Sequence, residues 1–203
     1  MKVVVVTGGI GSGKSEVCRI MYDKGWTAQY NADARVKSLY VEKNGLLESI
    51  ETSLGCVLRD EEGKFRPHLL AQVIFSDSKA LKVVESLVFP ALLEDFENFR
   101  KANTEADVMI FESATILEKP QFENFGDVIV LVDAPFQTRL ERACGRDMAS
   151  VETVLARMAH QPLMNSLSQG NADPRVDFVL ANTSSLAELE SEVEKLMSNI
   201  YKQ

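Results

Sequence analysis

The sequence predicts an α/β protein built on a parallel sheet, and three observations carry that prediction. The run Val3-Val4-Val5-Val6-Thr7 leads straight into Gly8-Gly9-Ile10-Gly11-Ser12-Gly13-Lys14-Ser15 and then into the helix-forming stretch Glu16 to Met21. Two later runs, Val108-Met109-Ile110-Phe111 and Val128-Ile129-Val130-Leu131-Val132, are continuously apolar, as strands buried on both faces are. Amphipathic helical segments lie between the strand candidates, the alternation of a β-α-β chain.

Gly8 to Ser15 fits G-x-x-x-x-G-K-[ST], the phosphate-binding P-loop, between a readable strand and a readable helix. Glycines let successive N–H groups turn inward toward an anion, and the following helix adds its positive end. The residues expected to hold the phosphates are Gly9, Ile10, Gly11, Ser12, Gly13, Lys14, Ser15 and Glu16. Lys14 reaches the β- and γ-phosphates as a point charge, and the Ser15 hydroxyl is placed as a direct Mg²⁺ ligand.

Composition bounds what else the chain does. At 203 residues, 45% hydrophobic and 26% charged, it has apolar material for a sizeable core, and one domain with appended pieces is expected. A net charge of −8 without a basic stripe speaks against a nucleic-acid surface. No apolar run approaches a membrane span, and the N-terminal valines are too few for a signal peptide, so no membrane partner and a cytoplasmic location are expected. Cys18, Cys56 and Cys144 are odd in number, widely spaced and without a Cys-x-x-Cys pair, which indicates neither a disulfide framework nor zinc. His68 and His160 are isolated and take no metal or catalytic role.

In order along the chain, the helix after the P-loop puts Val17, Ile20 and Met21 on one face and is closed by Gly25. Trp26 to Asn31 reads as a second strand ending in a turn, Asn31-Ala32-Asp33, on the same sheet edge as the P-loop, so Asp33 is expected to face the phosphates. Ala34 to Ala102 is helical in pattern: Leu46, Leu47, Ile50 and Leu54 form one helix ended by Gly55, and Ala80–Val88 and Ala91–Phe99 form two more, divided at Pro90. This is too long for a simple crossover and reads as a helical subdomain, residues 34–105, on a core of 1–33, 106–134 and 175–203. Asp60-Glu61-Glu62-Gly63 matches the D-x-x-G of GTPases but reads as a turn, and no Asn-Lys-x-Asp guanine motif occurs.

The two buried-strand candidates each end at an acid, so Glu112 and Asp133 are equal candidates for the carboxylate that orients Mg²⁺ or its waters, or for a helix cap. Arg139, Arg142 and Arg146 share one face of the next helix, either as a phosphate clamp or as a solvated face beside Glu141 and Asp147. A helix from Ser150 to His160 is followed by an aperiodic loop, Gln161 to Pro174. Asp177 to Leu180 is the last strand. The C-terminal helix opens with a Ser185/Glu188 capping box and buries Leu186, Leu189, Val193, Leu196, Met197 and Ile200.

Thr7 to Ser15, followed by Asn31-Ala32-Asp33, resembles the dephospho-coenzyme A kinase family, whose members carry T-G-G-I-G-S-G-K-S and then D-A-D. Asp133 to Asp147 resembles that family's D-x-x-x-x-x-x-x-x-R-x-x-x-R-D, and Asp177 to Asn182 its A-D-x-V-I-x-N. The resemblance implies a three-layer P-loop fold with a five-stranded parallel sheet, an inserted helical coenzyme-binding domain and a lid region, residues 135–174, carrying Arg142 and Arg146. It implies transfer of phosphate from ATP, with Mg²⁺, to the ribose 3′-hydroxyl of dephospho-coenzyme A. On this resemblance the catalytic residues are Asp33 as base, Lys14 and Arg142, with Arg142 and Arg146 also on ATP. The departures are Asn31 for the first Asp, Glu112 for the Asp of a D-x-P-L-L segment, Ser113-Ala114-Thr115 without its proline, and Phe89-Pro90 for His-Pro. Arg66 is also displaced by about one position, and Gln161 to Asp177 is longer than usual. Another P-loop kinase of a nucleotide or small molecule, or a nucleotide-binding regulator, remains an alternative, and the oligomeric state is not legible.

Overall fold

The valine run forms the middle strand of the sheet, and the computed structural model describes residues 1–202 around it. In chain order the elements are β1 (Lys2–Thr7), α1 (Lys14–Asp23), β2 (Ala28–Asn31), α2 (Ala32–Glu42), α3 (Leu46–Leu54), α4 (Pro67–Ser76), α5 (Ser78–Ala102) and β3 (Val108–Glu112). Then follow β4 (Val128–Asp133), α6 (Phe136–Asp147), α7 (Val151–Ala159), α8 (Pro162–Leu167), β5 (Phe178–Ala181) and α9 (Leu186–Lys202), with short 3₁₀ turns at Ile116–Glu118 and Pro120–Phe122. The chain packs as two compact units, Met1–Asn31 with Asn103–Gln203, and Ala32–Ala102.

In the first unit the five strands form one sheet, ordered β2-β3-β1-β4-β5, with every pairing parallel. Parallel strands bury both faces, which is why β1, β3 and β4 read as unbroken apolar runs. On one face Val4, Val6, Ile110 and Val130 meet Val17, Ile20 and Met21 of α1 and Leu189, Val193, Leu196 and Ile200 of α9. The other face carries an aromatic group: Phe111 stacks on Tyr30 at 5.4 Å between centroids and meets Phe125 edge-on at 4.6 Å. The capping box of α9 forms, Ser185 N–H donating to Glu188 Oε2 at 3.0 Å and Glu188 N–H to Ser185 Oγ at 3.4 Å. Leu186, expected in the buried face, is 51% exposed at the first position of α9, and the buried face begins at Leu189.

The second unit is helical. Its core gathers Leu39, Leu46, Leu47, Ile50, Leu70, Val84, Val88, Leu92 and Phe96. Arg35 grips Asp95 with two parallel hydrogen bonds of 2.9 and 2.8 Å, tying α2 to α5. Asp60 to Gly63 is a turn as expected, closed by Gly63 N–H to Asp60 O at 2.9 Å with Gly63 at φ 78°.

Three expectations about the elements are corrected. Pro90 does not divide two helices: α5 runs unbroken for 25 residues. An interior proline costs about 3 kcal/mol, but Pro90 is exposed, and the buried Val88, Ala91, Leu92 and Phe96 offset that cost by keeping both halves packed. The segment after Gln161 is not all loop but holds α8. And Asn31-Ala32-Asp33 is not a turn, since β2 passes directly into α2, leaving Asp33 in the first turn of that helix.

Candidate active site

The P-loop leaves the carboxyl end of β1 and enters α1, and its glycines are required by what lies behind them. Gly13 sits at φ 98°, and a Cβ there would lie 2.0 Å from Asn182 Nδ2, which itself donates to Ser12 O at 2.9 Å. Gly11, at φ 77°, faces the Arg139 backbone carbonyl with only 2.0 Å for a Cβ, and a Cβ on Gly9 would meet Arg139 Nη2 at 1.9 Å. The loop is therefore seated directly on α6 and on the end of β5, with no room for side chains at these three positions.

Arg139 is the main support. It is fully buried, donates from Nε to Ile10 O at 3.0 Å and from Nη1 to Ser168 Oγ at 2.6 Å, and Ser168 Oγ donates on to Asp133 Oδ1 at 2.7 Å. Burial pulls its guanidinium below the usual arginine range, with the nearby Asp133 charge opposing. Gln161, also buried, accepts from Ile10 N–H at 2.9 Å. Both backbone groups of Ile10 are thus held by residues from the segment after β4, while its side chain rests on Leu140, Ala143, Val154 and Met158.

On the phosphate side, Lys14 is nearly buried and its Nζ donates to Gly8 O at 2.8 Å and Gly9 O at 3.3 Å, curling over the loop it serves. Ser15 Oγ donates to Glu112 Oε1 at 2.7 Å, and Asn31 Nδ2 donates to Glu112 Oε2 at 2.6 Å. A hydroxyl beside a carboxylate is the hard-oxygen donor pair that suits Mg²⁺, which takes one or two protein oxygens and completes its shell with phosphate and water. The two acids that the sequence left equal are now separated. Glu112 stands on Ser15, whereas Asp133 is engaged by Ser168 behind the loop.

The three arginines of α6 do not form one face with one role. Arg139 is interior; Arg142 Nη1 donates to Asn182 O at 3.3 Å and lies 3.9 Å from the position of a Cβ on Gly13. Arg146 is exposed and pairs with Asp147 at 2.7 Å, an acid that also binds Arg157 at 2.6 Å. These hydrogen bonds to two guanidinium groups hold the Asp147 carboxyl well below the usual range. Glu16 is paired with Arg19 at 2.6 Å. Asp33 lies in the second unit, exposed on the first turn of α2, two residues along the chain from Asn31. Burial, then the Glu112 charge, push the Cys18 thiol far up, which keeps it protonated and inert.

The sequence places Arg139 only among three arginines on one helix face, as a phosphate clamp or a solvated face, and leaves the supports Ser168, Gln161 and Asn182 unassigned. Asn182 carried a signal, as the last residue of the motif around β5. Ser168 and Gln161 carried none, because the partner of Gln161 is more than a hundred residues away and Ser168 reaches Arg139 only through the placement of α8.

A lysine- and serine-ended glycine loop on the middle strand of a parallel β2-β3-β1-β4-β5 sheet, with arginines behind it and a carboxylate on its serine, defines a P-loop kinase. Within that class the comparisons are specific. The sequence profile of the dephospho-CoA kinase family matches residues 2–188, and the chain belongs to this family. It is 37% identical to a dephospho-CoA kinase of Porphyromonas gingivalis over 176 residues, covering 87% of this chain and 85% of that one. Among solved structures it is similar to the Thermus thermophilus protein TT1252, with a TM-score of 0.81, 27% identity and coverage of 98% and 97%. It is also similar to the dephospho-CoA kinase from Campylobacter jejuni, with a TM-score of 0.67, 25% identity and the same coverage of each chain.

Proposed function

We propose that this chain transfers the γ-phosphoryl group of ATP to the ribose 3′-hydroxyl of dephospho-coenzyme A, yielding coenzyme A and ADP, the last step of coenzyme A formation, in the cytoplasm. The observation that supports this most is the family match, which runs from β1 through the start of α9 and so takes in every element around the P-loop.

In the reaction the 3′-oxygen bonds to the γ-phosphorus as the bond to the ADP oxygen breaks, and the hydroxyl proton must leave. Asp33 is the proposed acceptor of that proton. An aspartate carboxylate in that position can take the proton or hold the hydroxyl in line. The N–H groups of Gly9 to Ser15 and the start of α1 hold the β-phosphate. Lys14 exchanges its contacts with Gly8 O and Gly9 O for phosphate oxygens, and Arg142, with Arg146 from the same helix, offsets charge on the transferred group. Ser15 would hold Mg²⁺, with Glu112 beside it. Mg²⁺ at that position would supply positive charge to offset the phosphate oxygens during transfer. Residues 135–174 serve as the lid and 34–105 as the acceptor-binding insertion.

Asp33→Asn tests the assignment, because it keeps shape and helix-start propensity while removing the charge. Turnover on dephospho-coenzyme A should fall by roughly 10² to 10⁴, with ATP affinity within a few-fold of wild type. Near-normal turnover would make Asp33 a helix-start residue and leave the base unassigned.

A further inference from the structure

We infer that Asn31 is a positioning residue for phosphoryl transfer: its amide locks the Glu112 carboxylate, and the locked carboxylate orients the Ser15 hydroxyl toward the metal and phosphate side. The inference rests on the kinase reading above.

Asn31 and Glu112 are register partners at the carboxyl ends of the adjacent parallel strands β2 and β3, and Glu112 is at the same time the register partner of Val6 on β1. The acid therefore stands between the strand that carries the P-loop and the edge strand. It is 7% exposed, so its two oxygens depend on protein donors rather than bulk water. Each has one: Asn31 Nδ2 on Oε2 at 2.6 Å and Ser15 Oγ on Oε1 at 2.7 Å.

The order of donors and acceptors has a chemical consequence. An ionised carboxylate only accepts, so the Ser15 proton is committed to Glu112 and both Oγ lone pairs are directed away from it. A lone pair aimed outward is what a hard cation needs from a hydroxyl. The terminal torsion of a glutamate is broad and roughly two-fold, so one donor alone would let the carboxylate swing and carry the hydroxyl with it. Asn31 removes that freedom by pinning the second oxygen. A carboxylate at position 31 would instead put two like charges within hydrogen-bonding distance, and a leucine would leave Oε2 without its donor.

The test uses four forms of the full chain: wild type, Asn31→Leu, Asn31→Asp and the exchange N31D/E112Q. In the exchange the amide on residue 112 donates to the carboxylate on residue 31 while its oxygen still accepts from Ser15, so the order of donors is rebuilt with the charge moved by one strand. Calorimetric ADP binding at stepped Mg²⁺ concentrations is measured with turnover and thermal midpoint. Asn31→Leu should raise the Mg²⁺ needed for half-maximal ADP binding, and lower kcat, by about 10-fold or more, the usual scale for an outer-sphere partner. Asn31→Asp should lower kcat similarly, and N31D/E112Q should raise kcat at least about threefold above Asn31→Asp while staying below wild type, since the hydrogen-bond order is restored but the carboxylate beside Ser15 is lost. A wild-type Mg²⁺ requirement in Asn31→Leu, or an exchange no better than Asn31→Asp, overturns the inference. Failure of the wild type to consume dephospho-coenzyme A would overturn the substrate reading alone, since the Mg²⁺ dependence of ADP binding still decides the role of Asn31.

Discussion

Arg139 Nε donates to the carbonyl of Ile10 at 3.0 Å, so a cation buried in α6 holds the P-loop from behind rather than meeting the phosphate in front. The same guanidinium has a buried Nη2 without a hydrogen-bond partner among the described residues. Replacing it removes one liability and creates another.

For Arg139→Met, the orphaned Ile10 carbonyl costs about 1–3 kcal/mol, while losing a desolvated guanidinium returns part of it. Unfolding free energy in urea should therefore fall by less than that range. ATP affinity should fall about 10-fold, equivalent to about 1.4 kcal/mol, because the loop loses its seat. Wild-type ATP affinity in a folded variant would show the loop to be self-supporting.

Gly13→Ala and Gly145→Ala form a matched pair. The first adds a Cβ at φ 98°, 2.0 Å from Asn182 Nδ2, and should abolish measurable ATP binding, with Asn182→Ala rescuing it only in part because the strained φ remains. The second adds a Cβ with nothing within 4 Å on an exposed position of α6, and should stabilise the protein by about 0.5–1 kcal/mol. Equal effects at the two sites would contradict the packing described for the loop.

Glu118 gives a pH dependence of known sign. Its carboxylate accepts from Leu163 N–H at 3.0 Å and Met164 N–H at 3.4 Å, and burial raises its pKa despite those donors. The folded state therefore holds the proton at pH values where the unfolded chain, with a pKa of about 4.3, has lost it. Stability from this group falls as pH rises through that window. Glu118→Gln keeps an acceptor for α8 and removes the titration, so in urea unfolding the variant should gain on the wild type between about pH 4 and pH 7. A wild type that gains on the variant over the same interval would reverse the assigned direction.

The sheet was largely legible because β1, β3 and β4 are buried on both faces and need continuous apolar runs, and the start of α9 because its capping box is local. What the sequence hid depends on distant partners. The start of α8 is capped by Glu118, 45 positions away from Leu163, and its one local signal is Pro162 at the first helical position, with no capping side chain before it. Pro90 is tolerated because its exposed face carries the ring while the opposite face of α5 is packed. The arginines looked equivalent on a helical wheel, yet Arg139 lies under the glycines and Arg146 in solvent. Asn31 and Glu112 were separate departures in the sequence and are one hydrogen-bonded pair in the fold.

The central claim is stoichiometric transfer from ATP to one acceptor. Purified protein, Mg²⁺ and ATP should form little ADP alone, and on addition of a limiting amount of dephospho-coenzyme A should form one ADP and one coenzyme A per acceptor molecule, both resolved by chromatography. ADP formation that is independent of the acceptor, or that follows a different nucleotide or small molecule while dephospho-coenzyme A is recovered unchanged, would contradict the account.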